Sequence, residues 1–588
     1  MVIKTLYRII KYFVRFFQMM KTQERVYLVL VSIISISIGV FPVISTLIFQ
    51  EIINILQMSN STIDYVLNLV LLYTLISVLQ RILGVFSVYY EKKLKMRMAI
   101  GLDMSIVEKP GELTLKDFEN ANTYDIIQRA SNINIEQVFS FFKAVILVIQ
   151  FLISLVIYTS IIFNWKPILI PVIYIFPLIS VATSSFFDKK QFVVNKERAD
   201  KVRKKWYYKF LLTNDIAYKE IKIFNVGNYF RKKYKELSLS FFDVDKKILK
   251  ERTIILSIFY FLDQIISCII LGYIILQTFM GNLLIGNMNT YIRGMSKISS
   301  NLQNVLLQLN AIYQNSLYIE QYFEYIDLDT SDSKNNKDIK LDIIPYIKIN
   351  NLSYQYGNHP KLVLKNISLK IWKGNLVAFI GKNGSGKSTL MKILSTLYKD
   401  YEGDIYFGQY NIRDIDEKYL QRKIGVLFQD FIKYNLSIRE NVSLGQISNL
   451  NDDTYIINTL RKAGIKMDAD NLDQQLGFWF DSGIQISGGE WLKIALSRAF
   501  IREAEIYLLD EPNAALDPIS ERNIFKSFKD LCKNKIGIII SHRISSIKNV
   551  VDKIVVFENG TIESIGTHDE LLQISKVYKE LYYAEENE

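Results

Sequence analysis

The chain has 588 residues, half of them hydrophobic and 22% charged, with a formal net charge of +12 at pH 7. That length and apolar content exclude a single small soluble domain, and two cysteines, Cys268 and Cys532, exclude a disulfide framework or a cysteine zinc site. The positive charge suits either nucleic acid or loops beside anionic lipid, and its distribution along the chain decides between them.

Residues 1–25 read as an interfacial elbow helix. Leu6, Ile9, Ile10, Phe13, Phe16 and Phe17 are interspersed with Lys4, Arg8, Lys11 and Arg15, a spacing that puts an apolar face toward lipid. The interspersed basic residues and the lack of a small-residue cleavage site exclude a signal peptide.

Residues 26–326 read as a six-helix transmembrane domain. Apolar runs lie at Val26–Phe49, Ile63–Tyr90, Val138–Phe163, Ile168–Phe187, Ile254–Met280 and Ile285–Ala311. Each reaches the roughly 20 residues that cross a bilayer. No Lys or Arg occurs from Val26 to Gln80, whereas Arg81–Gln137 and Asp188–Arg252 are crowded with them. The positive-inside rule then puts the first hairpin outside and both termini in the cytoplasm of a multi-pass plasma-membrane protein. This asymmetry accounts for much of the net charge, so no nucleic-acid partner is expected. The two basic segments carry helical patterns and are expected to project into the cytoplasm.

A composition break at Thr330–Asp342 marks a linker, placed at 327–346. From 347 to 588 the pattern is that of an α/β domain. Leu376–Ile380 is a short apolar strand running into Gly381-Lys382-Asn383-Gly384-Ser385-Gly386-Lys387-Ser388-Thr389 and then a helix. This is a phosphate-binding loop in its strand–loop–helix context. Its glycines let backbone N–H groups curl around phosphates at a helix N-terminus. Lys387 is expected to reach the β- and γ-phosphates and Ser388 to hold Mg²⁺. Ile506–Glu511 is a buried-type strand ending in two carboxylates. Asp510 suits the Mg²⁺ shell, and Glu511 a general base for the attacking water.

These elements, with those that follow, resemble an ABC exporter of the half-transporter kind over nearly the whole chain. Ile486-Ser487-Gly488-Gly489-Glu490 resembles the LSGGQ signature. The resemblance implies that Ser487, Gly488 and Gly489 contact the γ-phosphate of ATP held by a partner chain. It assigns Gln429 to the Q-loop, touching Mg²⁺ and water, and His542 to the switch that contacts the γ-phosphate. Ala515-Leu516-Asp517 matches the D-loop, with Ala514 standing where Ser is frequent. Tyr356 matches the aromatic that stacks on adenine, and Tyr354 is the second choice. The implied fold is an all-α six-helix transmembrane domain with long cytoplasmic helical extensions, followed by an α/β P-loop cassette. The implied assembly is a homodimer with two competent sites, a heterodimer being the alternative. Coupling helices are expected near Asn120–Asp125 and Leu211–Ile216, the second reaching the partner's cassette.

Leu476–Gln485 and Trp491–Phe500 flank the signature, and Lys219-Glu220-Ile221-Lys222-Ile223-Phe224 lies in the second basic segment. Together they resemble lantibiotic and bacteriocin exporters of the nisin and subtilin type, which implies peptide cargo. No N-terminal protease domain is seen, so a leader peptide is expected to be cut elsewhere. A lipid flippase or multidrug exporter is the alternative, and a nucleotide-gated channel or sensor partner a remote one. In the last apolar run Arg293, Lys297, Asn301, Asn304 and Gln308 share a helical face. Such groups line a cavity or meet a partner, and an Asp263–Lys297 pair or a shared substrate contact is expected.

Overall fold

The structure, a computed structural model, describes residues 2–58, 62–328, 339–357, 361–513 and 516–586. It divides into two compact units, Met1–Gly111 with Asp125–Leu328, and Glu112–Tyr124 with Asp329–Glu588.

The first unit is helical. It contains α1 (Val2–Met19), α2 (Thr22–Met58) and α3 (Ile63–Glu108). The chain then passes through α4 (Leu115–Glu119), which folds with the second unit, and α5 (Ala121–Ser131). It returns as α6 (Ile135–Trp165), α7 (Leu169–Glu197), α8 (Ala199–Thr213), α9 (Asp215–Ile223), α10 (Gly227–Phe279) and α11 (Ile285–Ile326). Five of these, α2, α3, α6, α7 and α10, are long and apolar enough to cross a membrane. The sixth expected span, α11, is 42 residues long, and its Asn, Gln and Ser content keeps it outside that group. Leu71, Leu75 and Phe261 are exposed, as side chains facing hydrocarbon are. The core instead gathers Tyr158, Ile162, Ile274 and Ile298 from α6, α10 and α11. The helices outrun the apolar stretches: α3 and α10 continue as polar helix well past the bilayer-length runs.

One edge of α1 packs on protein: Phe16 is buried, with its ring 5.3 Å from Phe142 of α6 and 5.8 Å from Tyr322 of α11, while Ile10 and Val14 stay exposed. Arg15 pairs with Asp327 and lies 4.1 Å over the Phe323 ring. The Asp263–Lys297 pair is not formed. Ser299 Oγ donates to Asp263 Oδ2 at 3.5 Å, while Lys297 has no ion-pair partner among the described residues. Positions two apart on a helix lie about 160° apart around its axis, so the face that meets Asp263 carries Ser299 rather than Lys297. The polar stripe also splits. Arg293 sits 5.2 Å over Phe49 of α2, and buried Asn301 donates to Ser154 Oγ of α6 at 2.9 Å.

In the second unit, β1 (Tyr346–Tyr354) pairs antiparallel with β2 (Leu364–Trp372) and with β4 (Glu402–Phe407), which pairs with β5 (Tyr410–Asn411). The larger sheet contains β3 (Leu376–Gly381), β6 (Ile424–Leu427), β7 (Ile506–Asp510), β8 (Ile536–Ile540), β9 (Lys553–Glu558) and β10 (Thr561–Gly566), in the order β10-β9-β3-β8-β7-β6. All its pairings are parallel except β9 with β10. Fully buried runs such as Ile506–Asp510 and Ile536–Ile540 are what a parallel sheet covered on both faces requires. The helices are α12 (Lys387–Leu394), α13 (Glu417–Arg422), α14 (Ile438–Ser443), α15 (Asp453–Lys462), α16 (Gly488–Phe500), α17 (Pro518–Cys532), α18 (Ile544–Ile547), α19 (His568–Ile574) and α20 (Lys576–Glu586).

Candidate nucleotide site

In an open parallel sheet the ligand crevice lies beyond the carboxyl ends of the strands. Four neighbouring strands, β3, β8, β7 and β6, deliver the predicted residues there. β3 runs into the phosphate loop, β7 ends at Asp510 with Glu511 next, β8 leads to Ser541-His542, and β6 leads to Phe428-Gln429.

The loop depends on glycine at two points. A Cβ on Gly381 would stand 2.2 Å from the Phe557 carbonyl oxygen. Gly386, the N-cap of α12, has φ +102°, and a Cβ there would lie 2.5 Å from Leu364 Cδ2. Asn383 and Gly384 are exposed, while Ser385 and Thr389 are buried. Lys387 is only 5% exposed, and its Nζ donates to the Gly381 carbonyl at 2.7 Å and to that of Lys382 at 3.1 Å. Burial lowers its pKa, against the opposing fields of Asp510 and Glu511.

Asp510 is buried, and burial raises its pKa, although the Ser388 hydroxyl hydrogen-bonds its carboxylate. Its Oδ1 is fully buried and has no hydrogen-bond partner. A buried carboxylate oxygen left unpaired is costly unless a cation meets it, and with the neighbouring Ser388 hydroxyl it offers oxygen donors of the kind Mg²⁺ takes. The residues present therefore fit the ion.

Glu511 has φ +49°, a backbone conformation that non-glycine residues adopt mainly at strained sites. Its N–H donates to the Ile540 carbonyl at 3.0 Å. Its two carboxylate oxygens face different partners: Gln429 Nε2 donates to Oε2 at 2.9 Å, and His542 Nε2 lies 3.0 Å from Oε1. Three residues far apart in sequence, 429, 511 and 542, thus converge on one carboxylate.

Tyr356 and Tyr354 separate clearly. Tyr354 is 5% exposed and stacks on Tyr398 at 5.2 Å. It is a core residue and cannot present a ring face to a base, so it drops out as the second choice. Tyr356 is half-buried, its hydroxyl lies 2.9 Å from Thr389 Oγ1, and it lines a cavity of about 410 Å³ with Lys361, Val363 and Gly384. The signature residue Ser487 caps α16: its hydroxyl accepts from Glu490 N at 3.2 Å while Glu490 Oε2 accepts from Ser487 N at 2.8 Å. Ser487 and Gly488 are exposed at that helix start. Asp517 caps α17, accepting from Ile519 N and Ser520 N at 3.0 and 2.9 Å. Ala514 and Ala515 lie outside the described residues.

Three features were not read from the sequence. Glu521, 4% exposed on α17, accepts from Asn513 Nδ2 at 2.7 Å and from Arg543 at 3.2 Å. It ties the turn after Glu511 to the residue after His542. Its one signal is a carboxylate placed on the apolar face of an amphipathic helix. Second, the segment that folds with this unit, Glu112–Tyr124, starts well before the coupling helix expected near Asn120–Asp125. Leu115 packs on its core, Tyr398 Oη donates to Glu119 Oε1 at 2.6 Å, and Lys116 meets Asp400 at 2.5 Å. Third, Tyr398, 3% exposed, stands edge-on to Tyr356 at 5.5 Å. The first connecting segment thereby touches the aromatic cluster beside the phosphate loop.

Residues 364–514 match the family model described as ABC transporter. The subtilin transport ATP-binding protein SpaT of Bacillus subtilis is 34% identical over 98% of this chain and 95% of its own length. The nisin transport ATP-binding protein NisT of Lactococcus lactis subsp. lactis is 36% identical over 96% of this chain and 94% of its own. A solved structure, that of a bacterial Atm1-family ABC exporter with ATP bound, superposes with a TM-score of 0.75 at 18% identity, covering 96% of this chain and 98% of the other. That likeness carries the fold. The chain therefore belongs to the ABC transporters, as an ATP-driven exporter whose membrane helices and single ATP-binding cassette share one polypeptide.

Proposed function

We propose that the protein exports a lantibiotic-type peptide across the cell membrane, working as a dimer with its cassettes in the cytoplasm. The observation that carries the catalytic half is Glu511 with both carboxylate oxygens engaged, one by Gln429 and one by His542. The full-length likeness to the subtilin and nisin transport proteins supports the cargo class.

Phosphoryl transfer needs positioning and charge stabilisation more than covalent chemistry. Glu511 orients the attacking water and takes its proton, Gln429 and His542 fixing the carboxylate. Lys387 exchanges its loop carbonyls for the β- and γ-phosphates of ATP, and the loop amides from Gly381 to Thr389 line the phosphates. Tyr356 stacks on adenine. Ser388, Asp510 and Gln429 would hold Mg²⁺, which would supply charge neutralisation of the phosphates. Ser487 and Gly488, exposed at the start of α16, serve with Gly489 and Asp517 the ATP of the second copy. A groove of about 420 Å³ lined by Phe428, Phe431, Tyr434 and Arg498 suits the partner's second connecting segment around Asn214. Arg498 stiffens its wall by donating to Ile432 and Asn441 at 2.7 Å each.

The test is ATP hydrolysis by the purified protein in lipid nanodiscs, titrated with a lantibiotic precursor peptide. Saturable stimulation supports peptide cargo. Stimulation by amphipathic drugs or lipids alone transfers the function to a multidrug exporter or flippase.

A further inference from the structure

The switch segment Ser541–Ser545 is held by contacts of its own. α18, which starts two residues after His542, is one turn long and has no side-chain cap from its N-cap residue Arg543. Its first backbone donors go elsewhere. Ile544 N donates to Glu585 Oε2 at 2.5 Å, Ser545 N to Glu585 Oε1 at 3.2 Å, and the Ser545 hydroxyl also reaches that carboxylate. Glu585 belongs to α20, forty residues further on. The same helix grips the far end of the turn, where Lys548 Nζ donates to Tyr582 Oη at 2.9 Å. The face of α20 that carries these groups is anchored: Tyr578 is fully buried and its hydroxyl lies 2.8 Å from His568 Nδ1.

We infer that Glu585 is a positioning residue for hydrolysis, the carboxylate by which the C-terminal helix α20 fixes the switch segment and aims His542 at Glu511. Orphan N–H groups at a helix start need an acceptor, and a carboxylate there is the strongest one available. Here the acceptor comes from a remote helix, so the placement of His542 is tied to the docking of α20. Arg543, next to His542, is held by buried Glu521, so the chain just after His542 is fixed by two carboxylates. Without Glu585 the turn must find water for its donors, and the imidazole loses its fixed 3.0 Å distance from Glu511. Misplacement of a catalytic group by about 1 Å costs on the order of 100-fold in rate.

The inference rests on the reading that His542 fixes the Glu511 carboxylate during hydrolysis, and a double-mutant cycle separates the two. Full-length protein in nanodiscs carries Glu585→Ala, His542→Ala, or both, with Glu585→Gln as the milder variant should Glu585→Ala fold poorly. Glu585→Ala is expected to lower kcat by about tenfold to a hundredfold with the KM for ATP unchanged. Glu585→Gln, which keeps one acceptor oxygen, recovers part of the loss. In the His542→Ala background the Glu585 change costs nothing further. Equal losses in the two backgrounds, or a Glu585→Ala kcat within twofold of wild type, would overturn the inference. Full turnover by His542→Ala would instead remove the role of His542 and with it the relay.

Discussion

Tyr398→Phe isolates a single hydrogen bond between the first connecting segment and the cassette core. The ring stays, so the stack on Tyr354 at 5.2 Å and the edge contact with Tyr356 survive. Only the donation to Glu119 at 2.6 Å is lost. Burial first, and the Glu119 hydrogen bond second, push the phenol pKa up, so it remains a proton donor at any working pH. A hydrogen bond to a charged group contributes about 1.5–3 kcal/mol. Glu119 is exposed, so solvent screening reduces this to about 1–2 kcal/mol, a factor of roughly 5–30 in the docking equilibrium. The Lys116–Asp400 pair, with side chains 58% and 69% exposed, is worth less, about 0–1 kcal/mol. Hydrogen–deuterium exchange on the full chain reads the difference directly, because local opening sets amide protection. Amides of residues 115–120 should exchange roughly 5–30 times faster in Tyr398→Phe and only slightly faster in Lys116→Ala, with the KM for ATP unchanged in both. Unaltered exchange in Tyr398→Phe, or a larger effect from Lys116→Ala, would refute the reasoning.

Asp510 must be ionised to meet Mg²⁺, and burial holds its pKa above the ordinary carboxylate range. As pH falls, its proton therefore competes with the metal earlier than at an exposed aspartate, near pH 4. Mg²⁺ activation curves taken between pH 7.5 and 5 should shift to higher Mg²⁺, and a flat series would contradict this placement. Gly386→Ala puts a Cβ at φ +102° against Leu364. It should cost about 1–3 kcal/mol of stability and weaken ATP binding in a nucleotide titration. Tyr356→Ala removes a base-stacking ring worth about 1–3 kcal/mol, raising the KM for ATP with a smaller loss of melting temperature than Tyr354→Ala. Tyr354→Ala should lower the melting temperature, as truncation of a buried ring costs about 3–5 kcal/mol.

What could be read in the sequence follows from how local the signal is. The phosphate loop is contiguous, from Gly381 to Thr389, and its glycines answer backbone demands visible residue by residue. Asp510 and Glu511 close an uninterrupted apolar strand. The membrane runs are legible because hydrocarbon imposes one length and one chemistry. Contacts across the fold are less legible. That Tyr354 is a core ring and Tyr356 a site ring depends on Tyr398, over forty residues away. A shared polar face points to an Asp263–Lys297 pairing without fixing helix rotation, and Ser299 stands on the face that meets Asp263 instead. Glu521 shows in the sequence only as a carboxylate on the apolar face of its helix, and nothing local marks Glu585 as a partner of the switch segment. Periodicity alone also does not show that one residue of the elbow's apolar face, Phe16, packs against the rings of Phe142 and Tyr322.

The central claim is that hydrolysis at Glu511 drives peptide export. It is tested most directly by mass spectrometry of the culture medium and cell interior of the native host, comparing wild type with Glu511→Gln. With Glu511→Gln, one peptide is expected to disappear from the medium and its precursor to accumulate inside, while the variant still binds ATP. An unchanged peptide profile would contradict peptide export, and ATP turnover near the wild-type rate in Glu511→Gln would remove Glu511 as the base.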